Sequence, residues 1–158
     1  MRILALDVGE RRIGMAVSDE LGFAARPLYA IERRDLRSDL DAVAQEAARQ
    51  KASLLIVGIP YDEDGKPSAQ ARRIMHFMRR LKRLLDIPVI PWDETMTTFE
   101  AEQMLLEADV TRARRKRVID AVAAAQILNS YLRSEQRGES GDETASAEAT
   151  ADEAKSET

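Results

Sequence analysis

Four acidic residues, in three segments, stand where an apolar run stops or a mostly apolar helix begins. In ILALDVGERRIGMAVSD, residues 3–19, Asp7 separates two apolar stretches. In PVIPWDE, residues 88–94, Asp93 and Glu94 follow a short apolar run. In VIDAVAAAQILNSYL, residues 118–132, Asp120 comes near the start of a segment with almost no polar face. A carboxylate in such surroundings is costly to bury without a compensating partner. Carboxylates with no cysteine and one histidine in the chain match a site for a hard divalent cation. Mg²⁺ or Mn²⁺ prefers oxygen ligands and keeps waters for a phosphate substrate. Two such ions about 3.5–4 Å apart can activate water and stabilise a leaving oxygen. Plainer roles stand beside this one. A strand-end Asp also serves as a cap or turn former, Asp93 also fits the start of a helix, and Asp120 also fits an ion pair with Arg115 or Lys116.

The elements that must position these acids follow from periodicity. Residues 2–8 and 12–18 are rich in β-branched and apolar side chains and read as two strands joined by a tight glycine-containing turn. Residues 23–31 read as a third strand, which Pro27 confines to an edge or a bulge. Leu36, Leu40, Val43, Ala44 and Ala47 recur at helical spacing between Asp35 and Gln50. SLLIVGIP, residues 53–60, is a continuous apolar run as in a buried parallel strand. YDEDGK is a turn. A helix over 68–85 carries an apolar arc of Ile74, Phe77, Met78, Leu81, Leu84 and Leu85, and IPVIPW is a further strand. Thr97 and Glu100 form a capping box that opens a helix to about residue 107, and a last helix spans about 115–133. The order is that of an α/β protein, a mixed sheet of about five strands flanked by helices. Strand ends on one edge of such a sheet form the usual ligand crevice, so acids distant in sequence can meet there.

Composition sets further bounds. A chain of 158 residues fits one domain with a sizeable core. Without cysteine there are no disulfides, zinc–thiolate sites or thiol nucleophiles. That, with an N-terminus charged too early for a signal peptide and no run long enough for a membrane span, fits a cytoplasmic protein. The formal net charge of −4 is unevenly spread. Residues 134–158 hold eight acids and two bases, which leaves 22 bases against 20 acids in residues 1–133. The polar 134–158 segment has no large apolar side chain and reads as a disordered acidic tail on a mildly basic domain spanning 1–133.

At this point four blocks become recognisable. DVGERRIGMAVSD (Asp7–Asp19) resembles the D-x-G-x-K/R-R-x-G-x-A-x-S-D opening of the YqgF/RuvX family. VGIPYDEDGKPSAQA, WDETMTTFEAE and DAVAAAQILNSYL resemble its later blocks, in order and at plausible spacing, over residues 1–133. The resemblance implies a ribonuclease H-like fold and a metal-dependent nuclease. The family is connected with maturation of the 5′ end of pre-16S rRNA and is also described as Holliday junction resolvases. Carried over residue by residue, the resemblance puts the catalytic, metal-binding acids at Asp7, Glu94 and Asp120. It departs at Thr95, where the family usually has Arg, and that bears on substrate affinity more than on metal binding. Gly9 would let the turn pass close to the site and Gly14 would keep the second strand slim, although both also fit plain turn and packing roles. Ser18 and Asp19 match the motif, and a turn at the strand's end explains them nearly as well.

Basic residues offer phosphate contacts. Arg11 and Arg12 lie in the turn after Asp7, and Arg112, Arg114, Arg115, Lys116 and Arg117 precede Asp120. Arg72, Arg73, Arg79, Arg80 and Arg83 share one arc of their helix, which equally fits a solvated face. His76 on that arc reads as a spectator and Trp92 as core or crevice wall. With few aromatics, recognition is expected through backbone and shape. The leading expectation is a Mg²⁺/Mn²⁺-dependent phosphodiesterase acting on structured RNA such as precursor rRNA. Alternatives are a resolvase of four-way DNA, which would need a dimer rather than a monomer, and a nucleic-acid-binding module without turnover. An ATP-binding kinase-like fold also begins D-x-G. It needs two related domains and a second acidic-glycine motif, neither of which the chain contains.

Overall fold

In the computed structural model, residues 1–94 and 112–137 are described, with side chains in the last helix from Arg117 onward. Among these residues, five strands, β1 (Arg2–Val8), β2 (Arg12–Ser18), β3 (Ala25–Glu32), β4 (Ala52–Ile59) and β5 (Val89–Asp93), form one sheet in the order β3-β2-β1-β4-β5. β1, β2 and β3 pair antiparallel, while β4 and β5 continue from β1 in parallel. The mixed α/β sheet expected from the sequence is therefore the one observed. Pro27 lies on the edge strand β3, opposite Ala16 and beside the irregularity between Met15 and Ala16, where a missing N–H costs least.

Among the described residues, three helices cover the sheet: α1 (Leu36–Arg49), α2 (Ala69–Leu84) and α3 (Arg112–Arg137). Asp35 caps α1 by accepting from the Ser38 N–H at 2.8 Å, and Ser68 caps α2 by accepting from the Ala71 N–H at 3.1 Å. Leu84 departs from the apolar arc predicted for α2 and is exposed, because Ala71, Ile74, Phe77, Met78 and Leu81 already fill the buried face. α3 begins three residues before its expected start and runs to Arg137, four residues past the expected boundary. Its first turns are arginine and lysine, good helix formers that carry no apolar period to read. The predicted capping box and short helix after it fall outside the described residues, as does the tail from 138 on.

Alternation along the strands divides the core in two. Leu4, Leu6 and Val8 of β1 face α1 and α2, whereas Ile3 and Ala5 face α3. Val89 faces α1 and α2, while Ile90 and Trp92 face α3. Asp7 and Glu94 continue the α3-facing series at the C-terminal ends of β1 and β5. Both therefore end at the same edge and on the same face of the sheet. Asp93 belongs to the opposite series, and its charge is felt by Tyr61 among the α1/α2 packing.

Candidate active site

Asp7 and Glu94 meet across the β1 and β5 ends and share a side-chain hydrogen bond, although 87 residues separate them in the chain. The Glu94 backbone is held in place by its N–H, which donates to the Ile59 carbonyl at 3.2 Å. Burial pushes the Asp7 carboxyl well above the usual carboxylate range, and the nearby charges of Glu94 and then Asp120 push it further. Burial also raises Glu94, opposed by the hydrogen bond from Asp7 and assisted by the charge of Asp93. Both directions match a proton held on Asp7 and donated to Glu94. The third acid, Asp120, lies on α3 in the same electrostatic neighbourhood.

Two glycines let these elements approach. Gly14 is the register partner of Asp7, and α3 lies directly on it: a Cβ there would overlap the Asp120 carbonyl. On β4, a Cβ at Gly58 would come 2.5 Å from Ile127 Cδ1 and 2.7 Å from Glu94 Oε2. Gly9 closes the β1–β2 turn, its N–H donating to the Arg12 carbonyl at 2.9 Å. Trp92 lines the α3 side, donating its indole N–H to Ser130 Oγ at 3.1 Å and meeting Tyr131 edge-to-face at 5.2 Å.

Arg12 does more than its sequence position suggests. Its Nε donates to Asp120 Oδ2 at 2.7 Å, with both side chains largely shielded. Sequence reasoning offered Arg115 or Lys116 as partners of Asp120. A contact spanning 108 positions leaves no local signal in the chain. Arg11 is exposed at the same turn. Arg117 is exposed and lies 3.7 Å from Glu32. Arg112, Arg114, Arg115 and Lys116 form the first turns of α3 itself, and their side chains lie outside the described residues. Thr95 lies outside them too. Ser18 is buried and accepts from the Ile3 N–H at 2.8 Å, and Asp19 accepts from the Phe23 N–H. Both groups serve the local turn and ladder, the simpler of the two readings.

The donor set suits a hard divalent cation: oxygen ligands only, close enough that burial and the neighbouring acids raise the Asp7 carboxyl. As they stand, no three acidic or imidazole side chains among the described residues are grouped closely enough to hold an ion. Asp120 is turned to Arg12, and Asp7 to Glu94.

Comparison with known proteins extends this geometry. The sequence profile of the family described as "RuvX: Holliday junction resolvase" matches residues 1–134. The "Putative pre-16S rRNA nuclease" of Desulforamulus reducens is 41% identical over 132 residues, covering 84% of this chain and 96% of that protein. The protein of the same name from Symbiobacterium thermophilum is 47% identical over 132 residues, covering 84% and 92%. Among solved structures, T. thermophilus RuvC in complex with a Holliday junction substrate superposes with a TM-score of 0.56 at 14% identity, covering 87% of this chain and 96% of that one. The fowlpox virus resolvase in complex with Holliday junction DNA gives 0.53 at 13%, covering 85% and 98%. The fold is thus the ribonuclease H-like one that the four sequence blocks implied. With its profile matched over residues 1–134 and relatives above 40% identity spanning nearly their whole length, the chain belongs to the RuvX family.

Proposed function

We propose that the protein is a divalent-metal-dependent nuclease that hydrolyses phosphodiester bonds of structured RNA, with pre-16S rRNA 5′-end maturation as its task. The observation that carries this reading is the convergence of Asp7, Glu94 and Asp120, from three distant segments, on one face of one sheet edge. The relatives named as pre-16S rRNA nucleases support the RNA substrate.

Asp7, Glu94 and Asp120 would hold Mg²⁺ or Mn²⁺, which when bound supplies an activated water and charge stabilisation for the leaving oxygen. The remaining work belongs to the chain. β1 and β5 fix two carboxylates on strand ends, where their positions vary little. Gly14 and Gly58 remove the side chains that would push the third acid and Glu94 away. Arg12 orients Asp120, and Arg11 offers an exposed guanidinium to the substrate backbone. The family's description as Holliday junction resolvase supports four-way DNA as the alternative substrate.

The experiment compares cleavage of a labelled precursor spanning the 16S 5′ end with cleavage of a four-way DNA junction, at matched salt, with Mg²⁺, Mn²⁺ or EDTA. The reading expects metal-dependent cleavage of the RNA and loss of at least about 10³-fold in Asp7→Asn, Glu94→Gln and Asp120→Asn. Full activity in EDTA or in Asp7→Asn refutes the mechanism. Preference for the junction replaces the substrate and keeps the chemistry.

A further inference from the structure

On the other side of the β1 end lies a cleft of about 700 Å³ between the β1–β2 turn and the N-terminal half of α2. Its floor is apolar and closed: Val8, Ile74 and Phe77 are each at most 3% exposed. Its rim is cationic. Arg33, Arg72 and Arg73 line it together with His76, and Glu10 is the one acid among its described lining residues.

These basic groups are not equivalent. Arg33 is committed to the protein: Nε donates to Asp39 at 3.0 Å, Nη1 donates to the Gly9 carbonyl at 3.0 Å, and the guanidinium lies 5.3 Å from the Phe77 ring centre. It forms a fixed wall and covers the one aromatic ring of the floor. Arg73 touches Glu10 only at 3.5 Å, with both side chains more than two-thirds exposed, a contact of little strength in water. Arg72 and His76 are exposed. Arg72, Arg73 and His76 are therefore the groups free to turn toward an incoming anion.

Position gives the cleft its meaning. Asp7 faces α3, its neighbour Val8 forms cleft floor, and Gly9 lines the cleft wall. The cleft therefore adjoins the acid-bearing end of β1 on the opposite face of the sheet. The volume suits about one or two nucleotides. Phe77 is covered by Arg33, and among the described lining residues no Tyr, Trp or second Phe offers a ring for base stacking, so recognition falls to phosphate contacts. We propose that this cleft holds the single-stranded flank of a polynucleotide substrate next to the scissile bond, with its phosphates on Arg72, Arg73 and His76. The proposal rests on the nuclease reading above for the identity of the ligand.

The test measures binding of the full chain, in EDTA, to a labelled RNA duplex with and without a short single-stranded tail, by fluorescence anisotropy across a salt series. The wild type should bind the tailed duplex more tightly. Arg72→Ala/Arg73→Ala should lose about 10-fold on the tailed duplex, with the salt slope reduced by about 1. Blunt duplex should change less than about 2-fold, since its phosphates do not enter the cleft. Arg79→Ala/Arg80→Ala removes the same charge from the same helix outside the cleft and should leave the tail's advantage intact. A photoreactive tail nucleotide should crosslink within residues 69–77, a readout that needs no variant. The proposal is overturned if the tail adds nothing, if the two double variants lose the tail's advantage equally, or if the crosslink falls elsewhere. Because binding is read without metal, tail binding with no cleavage under any condition would sink the nuclease reading alone. Cleavage with no tail dependence would sink this one alone.

Discussion

Gly14 and the Asp120 backbone touch with no room for a side chain between them. A Cβ on Gly14 would overlap the Asp120 carbonyl and come within 2.9 Å of the Ala121 nitrogen. Gly14 is also paired with Asp7 in the sheet register. One residue without a side chain thus sets the spacing between the carboxylate of β1 and that of α3. The obstructing atoms are backbone, so an added methyl must move the helix. Gly14→Ala is expected to cost about 1–3 kcal/mol of stability through overpacking. Cleavage should slow on the order of 10²-fold as Asp120 shifts by about 1 Å. Thermal melts and single-turnover rates check the two effects. A destabilised variant with an unchanged rate would reduce Gly14 to a packing residue.

Gly58 separates the same two effects differently. Its hypothetical Cβ meets the tip of Ile127, a flexible side-chain end, and Glu94 Oε2. Ile127 can yield, whereas Glu94 is held by its backbone hydrogen bond to Ile59. Gly58→Ala should therefore destabilise less than Gly14→Ala, by about 1 kcal/mol, and still slow cleavage at least about 10-fold. Comparing the two variants' melting shifts against their rate losses distinguishes them.

Arg12 supplies a third case. Its guanidinium pairs with Asp120 at 2.7 Å in a largely shielded setting. Arg12→Ala leaves Asp120 without this partner and should cost about 1–2 kcal/mol. Removing a positive charge beside the acids should also tighten Mn²⁺ binding several-fold, read by the free-Mn²⁺ electron paramagnetic resonance signal, while cleavage falls about 10-fold. Arg12→Lys keeps the charge without the planar fork and should recover the Mn²⁺ affinity more fully than the rate. Weaker Mn²⁺ binding in Arg12→Ala would show that positioning outweighs charge.

These three positions mark where the sequence was legible and where it was not. Apolar runs and alternation disclosed the five strands, because the buried faces of β1 and β4 leave no other reading. Asp7 was legible for the same reason: a carboxylate inside a buried series demands an explanation. Choosing Glu94 over Asp93 needed the family resemblance, and the sheet supplies its physical basis, since adjacent residues in a strand point to opposite faces. Arg12's role was hidden because its partner lies 108 residues away. The cleft beside α2 was hidden because periodicity separates charged from apolar faces without showing concavity. The early start of α3 escaped because a basic run has no apolar period.

The Tyr29–Glu46 pair gives the fold a pH dependence at its alkaline end. Tyr29 on β3 donates its hydroxyl to the buried Glu46 carboxylate of α1 at 2.6 Å. Partial burial and this bond raise the phenol from its ordinary 10.0 to about 12. Between those values the folded state binds the proton more tightly than the unfolded chain. Its contribution is whole below pH 10 and is lost as pH rises toward 12. Urea unfolding at pH 8, 10 and 11 should show stability falling more steeply in the wild type than in Tyr29→Phe. Parallel pH profiles would place the linkage elsewhere.

Asp7 carries the opposite balance, with function set against stability. Its raised carboxyl keeps a proton in the folded state at pH values where the unfolded chain, near 3.8, has released it. Folded protein then binds more protons than unfolded, so stability falls as pH rises from about 4 through the folded value. Burial and the repulsion of Glu94 and Asp120 are what the charged form of Asp7 must overcome, so releasing its proton weighs against folding. Asparagine at this position remains neutral and can still donate to Glu94. In EDTA at pH 7–8, Asp7→Asn should melt a few degrees above wild type, on the order of 1 kcal/mol, with the gap closing toward pH 4. The same variant should not cleave. A lower melting temperature for Asp7→Asn at pH 8 would mean that the carboxylate stabilises the fold, and that the strain assigned to the acid cluster is absent.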